Sequence, residues 1–147
     1  MSAEEIERVS LYRQVINAIS RGDTQVLDDI LAPDILDHNP IPLQSPGRDG
    51  FKEWMAAARI SFPDLWGTVE DVLVSGDYVI GRVTWRGTQR GSFAGLPPTQ
   101  KTTAFEGIHI VRYDGAKIAE WWGVADLLGA IHRLGGKVVL EEPENGS

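Results

Sequence analysis

Residues 102–124 read TTAFEGIHIVRYDGAKIAEWWGV, and this stretch decides the fold. β-Branched and aromatic side chains are frequent over residues 102–113, which favours a long strand. Asp114-Gly115 is a dipeptide typical of tight hairpin turns, and residues 116–124 supply the partner strand. The stretch therefore predicts an antiparallel hairpin.

A second hairpin is predicted upstream. Residues 69–74 and 78–88 flank the turn Ser75-Gly76-Asp77. Residues 89–100 are rich in glycine and proline and predict a long connection between the two hairpins.

The N-terminal part of the chain shows helical spacing instead. Ser2-x-x-Glu5 has the spacing of a capping box, in which each side chain bonds a free backbone N–H of the first turn. Gly22 is suited to the left-handed residue that ends a helix. Between them, apolar residues recur at helical spacing: Ile6, Val9, Tyr12, Val15, Ile16 and Ile19.

Further helices are predicted on both sides of a proline-rich segment. Asp23 is a good N-cap for a short second helix that stops at Pro33. Residues 34–49 predict an irregular, extended segment, and Asp49 can cap a third helix. A last short helix precedes Gly135-Gly136.

Helices followed by strands predict an α+β domain. We expect a curved, mainly antiparallel sheet wrapped with three to four helices into a cone with an internal pocket. A chain of 147 residues fits one domain, which we place over residues 1–140, with a flexible acidic tail over residues 141–147.

Composition excludes several classes of function. The chain has no cysteine, which excludes disulfides and Cys nucleophiles, and its histidines lack helical i, i+4 spacing, so we do not expect a metal site. The net charge is −7 and no Lys/Arg cluster is present, so nucleic acid is not an expected partner. Without an apolar stretch near the roughly 20 residues that cross a bilayer, or a signal pattern, we expect a cytoplasmic protein without membrane contact.

The connection between the hairpins carries a family resemblance. Residues 87–99 read GTQRGSFAGLPPT, similar to the SnoaL-like pattern of Gly-Thr, a spaced Gly, Phe, Gly and Pro-Pro-Thr. Over roughly residues 5–136 the chain resembles the SnoaL-like polyketide cyclases. The other matching pieces, in family order, are Asp37-His38-x-Pro40, Phe62-Pro63-Asp64, Gly76-Asp77, Lys117-Ile118-x-Glu120-x-Trp122, Asp126 and Leu134-Gly135.

The resemblance implies a nuclear-transport-factor-type cone with a deep pocket. Characterised family members include aldol cyclases that close polyketide rings without metal or cofactor. Ketosteroid isomerase, limonene epoxide hydrolase and polyether epoxide-opening cyclases share the cone. By the same analogy we expect a homodimer, because such cones leave one broad sheet face free of the pocket.

His109 is the first candidate for chemistry. Strand alternation places it on one face with Phe105, Gly107 and Val111, and Gly107 leaves space beside it. With a reference pKa of about 6.5, a histidine can donate or accept a proton near neutrality. This one matches a pocket histidine of the resembled cyclases. The alternative is a core histidine bonded to a backbone carbonyl.

Asp37 and His38 are the next candidates. The resemblance places a polar pocket residue at Asp37, and the epoxide-opening relatives have a carboxylate close by. One member of the pair can serve the pocket while the other holds a loop. The alternative is that Asp37 caps a turn before Pro40 and His38 is half exposed.

The final strand departs from the resembled cyclases. Their general acid/base is an aspartate three residues before the residue matching Asp126, and here that position is Gly123. Glycine cannot transfer a proton, which leaves His109 with Asp37 or His38 as the acid/base set. We predict four substrate-binding positions: Trp121, Trp85, Phe105 and Gly123.

Three other acidic residues receive structural interpretations. Asp126 most simply caps the last helix, Glu120 pairs with Arg112 or another surface base, and Asp64 lies in a turn.

Three functions remain open. The first is a cofactor-independent enzyme that cyclises or isomerises a hydrophobic molecule bearing a carbonyl or an epoxide. The second is a non-catalytic protein that binds a hydrophobic ligand, an interpretation motivated by Gly123. The third is a structural dimerisation module.

Overall fold

The computed structural model describes residues 1–143 and confirms the α+β prediction. Its open five-stranded sheet has the order β1-β5-β4-β3-β2 and is antiparallel except where β1 runs parallel to β5. Both predicted hairpins are present, as β2–β3 and β4–β5. The elements in chain order are α1 (Ala3–Arg21), α2 (Gln25–Ile30), β1 (Leu31–Asp37), α3 (Gly47–Ser61), β2 (Trp66–Ser75), β3 (Tyr78–Thr88), β4 (Thr102–Asp114), β5 (Lys117–Ala125) and α4 (Leu127–Arg133).

The ends of α1 form as predicted. Ser2 and Glu5 make the reciprocal bonds of a capping box, and Gly22 ends the helix in the left-handed conformation with φ of 70°.

No helix within residues 1–143 is long and apolar enough to cross a membrane. Of the predicted tail over 141–147, residues 144–147 lie outside the described residues.

The predicted irregular segment is wrong at its start, because β1 occupies Leu31–Asp37. The second helix ends at Ile30, and Pro33 lies inside the strand rather than stopping the helix. Proline is tolerated there because β1 is an edge strand of the sheet. A register shift between Leu31 and Leu36 interrupts the alternation of buried and exposed residues, which hid the strand signal.

The predicted caps of the second and third helices have different outcomes. The N-cap of α2 is Thr24, one residue after the predicted Asp23, but the Asp23 carboxylate still accepts bonds from the backbone N–H groups of Gln25 and Val26. The helix α3 begins at Gly47 after Pro46, two residues before Asp49, and no side chain caps it. Asp49 instead lies in its first turn, where a carboxylate favours the positive end of the helix dipole.

The sheet has two unlike faces. The inner face, which carries Val83, Val111 and Trp121, packs against the helices and forms the core. The outer face, which carries Ile80, Ile110 and their neighbours, remains exposed. Side-chain alternation along each strand separates the two sets of residues.

A buried glutamine organises the connection between β3 and β4. Gln89 has no exposed surface. Its amide nitrogen donates to the carbonyl oxygens of Leu96 and Pro97, and its amide oxygen accepts from the backbone and hydroxyl of Thr99. These bonds fold the connection back, so that Phe93 packs edge-on against Phe62.

Candidate active site

A cavity of about 470 Å³ lies between the inner face of the sheet and α3. Asp37 is the only lining residue of the described chain with a formal charge, and His109 is the other titratable group. Most of the remaining wall is apolar, which is typical of small-molecule sites. Its aromatic lining residues are Phe51, Trp54, Phe62, Trp85, Phe93, Phe105 and Trp121.

His109 lies on β4 and is bonded to a helix, not to a backbone carbonyl. The Tyr12 hydroxyl, on α1, lies 2.8 Å from Nδ1 of His109. Burial lowers the pKa of His109 from 6.5 to about 4, and burial likewise raises the pKa of Tyr12. At neutral pH both groups are therefore uncharged.

The bond to Tyr12 assigns the tautomer of His109. Within residues 1–143, Nδ1 of His109 is the only hydrogen-bond partner of the Tyr12 hydroxyl. A buried hydroxyl proton needs an acceptor, so Tyr12 donates to Nδ1 and the neutral ring carries its proton on Nε2. His109 therefore presents an N–H donor at the cavity.

Two glycines flank His109 on the neighbouring strands. Gly81 of β3 and Gly123 of β5 both pair with His109 across the sheet. A Cβ at Gly81 would lie 2.1 Å from the Tyr12 hydroxyl, whereas a Cβ at Gly123 would lie 3.1 Å from both Cδ2 of His109 and Nε1 of Trp121. Gly81 therefore admits the tyrosine, and Gly123 keeps the other side of the imidazole accessible.

Asp37 ends β1 at the edge of the cavity. Its carboxylate accepts bonds from the backbone N–H of Asn39 and from the amide of Gln44, at 3.0 and 2.9 Å. The Asn39 side chain in turn accepts from the backbone N–H of Gly123. These contacts hold the segment after β1 over the end of the sheet and orient the carboxylate.

The structure separates the two members of the predicted Asp–His pair. His38 does not line the cavity; its ring stacks on Trp122, with centroids 4.3 Å apart, and bonds Glu120 at 2.7 Å. Adjacent residues of a strand point to opposite faces, so Asp37 faces inward and His38 outward. Asp37 and His109 share the cavity on strands separated by β5 and are offset by two residues along the sheet, so their backbones lie roughly 12 Å apart.

The other predicted residues lie as follows. Trp121, Trp85, Phe105 and Gly123 all line the cavity, and their role in binding stays a prediction.

The structural interpretations of the remaining acids are confirmed. Asp126 caps α4 by accepting from Gly129, and Arg112 pairs with Glu120 at 2.8 Å. The hydrogen bonds from His38 and Arg112 lower the pKa of Glu120. Asp64 lies in the turn after α3 and accepts two bonds from Thr88, and the backbone bond is the main cause of its lowered pKa.

The sequence interpretation missed three contributors to the site: Tyr12, Gly81 and Asn39. The helical spacing predicts only an apolar position for Tyr12, although the hydroxyl of a buried tyrosine requires a hydrogen-bond partner. Gly81 interrupts a strand, a position that often marks close approach of another group. Within residues 1–143, no group of three or more His, Cys, Asp or Glu side chains is placed to hold a metal ion.

The comparison with protein families decides the relationship. The family model for SnoaL-like polyketide cyclases matches residues 9–134, which is most of the chain. The chain belongs to this family. As a SnoaL-like protein it has the expected cone, formed by the curved sheet and the helices on its inner face.

Individual relatives agree with the family assignment. The chain is 25% identical to the aklanonic acid methyl ester cyclase DauD of Streptomyces sp. (strain C5), over 87% of this chain and 81% of DauD. It is 26% identical to the nogalonic acid methyl ester cyclase of Streptomyces nogalater, over 82% of this chain and 92% of that protein. Among solved structures, TsrD from Streptomyces laurentii is 27% identical, with a TM-score of 0.83 over 91% of this chain and 98% of TsrD.

Proposed function

We propose that this SnoaL-like protein is a cofactor-independent acid/base enzyme that closes a ring or moves a double bond in a hydrophobic, carbonyl-bearing small molecule. The observation that carries the proposal is the cavity itself, which brings one carboxylate and one neutral histidine into an otherwise largely apolar space. Two relatives are cyclases of aklanonic and nogalonic acid methyl esters, which supports a substrate of the same chemical class.

The two polar groups suit opposite halves of an enolisation. The Asp37 carboxylate takes a proton from the carbon beside a carbonyl, and the electron pair moves onto the carbonyl oxygen. The Nε2–H of His109 donates a hydrogen bond to that oxygen. The enolate carbon then attacks a second carbonyl carbon of the same molecule, and the resulting alkoxide receives the proton held by Asp37, which regenerates the carboxylate. No atom is gained or lost, so no cofactor is required.

The first prediction concerns turnover. The protein is incubated with aklanonic or nogalonic acid methyl ester, and products of unchanged mass are separated by chromatography. We expect Asp37→Asn and His109→Gln each to slow conversion by roughly 10²–10⁴-fold, the usual contribution of a positioned acid or base. Asp34→Asn is the matched control, because Asp34 lies on the same strand but on the outer face.

Several outcomes would contradict this assignment. If neither variant slows turnover, Asp37 and His109 are not the acid/base set. If His38→Gln slows turnover and Asp37→Asn does not, His38 and not Asp37 acts in the reaction. If the wild-type protein binds both esters tightly and converts neither, the cavity of this chain serves ligand binding without chemistry.

We further propose that two copies associate through the outer face of the sheet. One row of paired residues crosses four strands of this face and consists of Leu73, Ile80, Ile110 and Trp122. Within the row, Leu73 is 66% exposed and Ile110 is 40% exposed. A continuous apolar row of this kind is typical of interaction surfaces. A second copy offers the same row, so a two-fold symmetric contact would cover both.

The second prediction tests this association by gel filtration and light scattering. We expect the wild-type chain to run at twice its mass of 16.2 kDa and Ile110→Lys to run as a monomer, because a buried unpaired ammonium opposes the contact. Ile6→Lys, at an exposed isoleucine on α1, should remain dimeric. A wild-type mass equal to that of one chain would overturn the proposal.

A further inference from the structure

Three side-chain N–H groups at the cavity have no acceptor within residues 1–143. They belong to His109 Nε2, Trp85 Nε1 and Trp121 Nε1, on side chains of residues that are 8%, 4% and 5% exposed. Within residues 1–143, none of these nitrogens forms a hydrogen bond, yet no buried side-chain nitrogen is left both enclosed and unpaired. Each N–H therefore retains accessible surface, and all three residues line the cavity.

The three side chains are neighbours. The ring centroid of His109 lies 4.9 Å from that of Trp121 and 6.4 Å from that of Trp85. Nε1 of Trp121 lies 3.1 Å from the position of a Cβ on Gly123, and Nε1 of Trp85 lies 3.1 Å from the position of a Cβ on Gly107. Gly107 and Gly123 lie on adjacent strands and are offset by two residues in the pairing. Both indole N–H groups therefore lie over a part of the sheet that carries no side chain.

We infer that Trp85, Trp121 and His109 form a three-donor site for the carbonyl oxygens at one end of a flat ligand. Neutral donors suit a carbonyl oxygen, because they stabilise the negative charge that develops on it without being neutralised by it. A ligand that covers these N–H groups without supplying oxygens would leave them unpaired and desolvated, which is costly, so a ligand with oxygens here binds more tightly than one without.

The rest of the cavity defines the remainder of the ligand. Asp37 of β1 pairs with the donor Trp121 of β5 and lines the same cavity, so the ligand should carry its acidic C–H group close to the carbonyl that the donors bind. The aromatic side chains in the rest of the cavity wall favour fused rings that stack. The inference deepens the proposed function. It rests on that function only in assuming that the reaction takes place at this site, because ligand binding can be measured without turnover.

The third prediction uses acetonaphthone, a flat ketone, and ethylnaphthalene, the hydrocarbon of matched shape. Dissociation constants are measured by calorimetry on the folded wild type and on Trp85→Phe and Trp121→Phe. Each substitution should weaken acetonaphthone relative to ethylnaphthalene by about 3–10-fold, the net value of a hydrogen bond to a neutral acceptor. The infrared carbonyl stretch of bound acetonaphthone should also rise in frequency in both variants.

Trp54→Phe is the control, because Trp54 lines the same cavity outside the donor cluster. It should weaken both probes equally and leave the carbonyl stretch unchanged. If Trp85→Phe and Trp121→Phe also leave the affinity ratio and the stretch unchanged, the donor site is refuted, whatever the effect of Asp37→Asn on turnover. If the ratio changes while Asp37→Asn and His109→Gln retain turnover, the donor site stands and the proposed chemistry falls.

Discussion

Acidification from pH 7 to pH 4 is expected to cost the folded protein about 3 kcal/mol through His109 alone. Burial lowers the pKa of His109 from 6.5 to about 4, so the unfolded chain binds a proton there before the folded chain does. The contribution of neutral His109 to stability is complete above pH 6.5 and declines as the pH falls towards 4. About 2 kcal/mol of the loss falls between pH 7 and pH 5, above the range in which most carboxylates titrate.

Urea unfolding at a series of pH values measures this loss directly, with tryptophan fluorescence as the signal. His109→Gln is the reference, since glutamine can still accept the Tyr12 hydrogen bond but cannot ionise. The free energy of unfolding of the wild type should fall about 2 kcal/mol more than that of the variant between pH 7 and pH 5. Parallel curves for the two proteins would show that His109 is not held neutral by burial.

Gly81→Ala is expected to destabilise the fold by about 2–5 kcal/mol. The new methyl group would lie 2.1 Å from the hydroxyl oxygen of Tyr12 and 2.2 Å from its Cζ. A ring edge so close to backbone cannot be accommodated by a small rotation, so Tyr12 must leave its place. His109 would then lose its only hydrogen-bond partner within residues 1–143.

The matched control for this substitution lies on the other side of the same histidine. A methyl group at Gly123 would meet Cδ2 of His109 and Nε1 of Trp121 at 3.1 Å, which requires shifts of only a few tenths of an ångström. Gly123→Ala should therefore cost clearly less than Gly81→Ala in urea unfolding. Equal losses in the free energy of unfolding would mean that the close approach of Tyr12 is not the reason why position 81 requires glycine.

Much of the fold is determined by local sequence. The Ser2–Glu5 capping box and the alternation through residues 102–113 act within a few residues of each other, and both form as predicted. The predicted hairpin turn forms one residue later, at Gly115-Ala116, because Asp114 still pairs with Lys117. The strand β1 was missed because its signal is not local. It is an edge strand with an irregular register, and its pairing partner β5 lies about 80 residues away in the chain.

The site residues likewise divide into those that a local pattern predicts and those that depend on strand pairing. Alternation in a single strand was enough to place His109 and Phe105 on one face, and both line the cavity. The sequence left open which of Asp37 and His38 faces inward, because that choice depends on recognising β1 as a strand. Once β1 pairs with β5, the alternation of side chains along the strand points Asp37 into the cavity, and the next residue, His38, stacks on Trp122 outside it.

Sequence patterns predict an α+β chain of the SnoaL-like type with a histidine on the inner face of its sheet, and the structure places His109 there. The protonation state of that histidine depends on tertiary contacts. Tyr12 reaches it across 97 residues of chain, and Gly81 makes the space for that contact. Proton position and pKa depend on burial and on partners brought together by sheet register and helix packing, which no local pattern specifies.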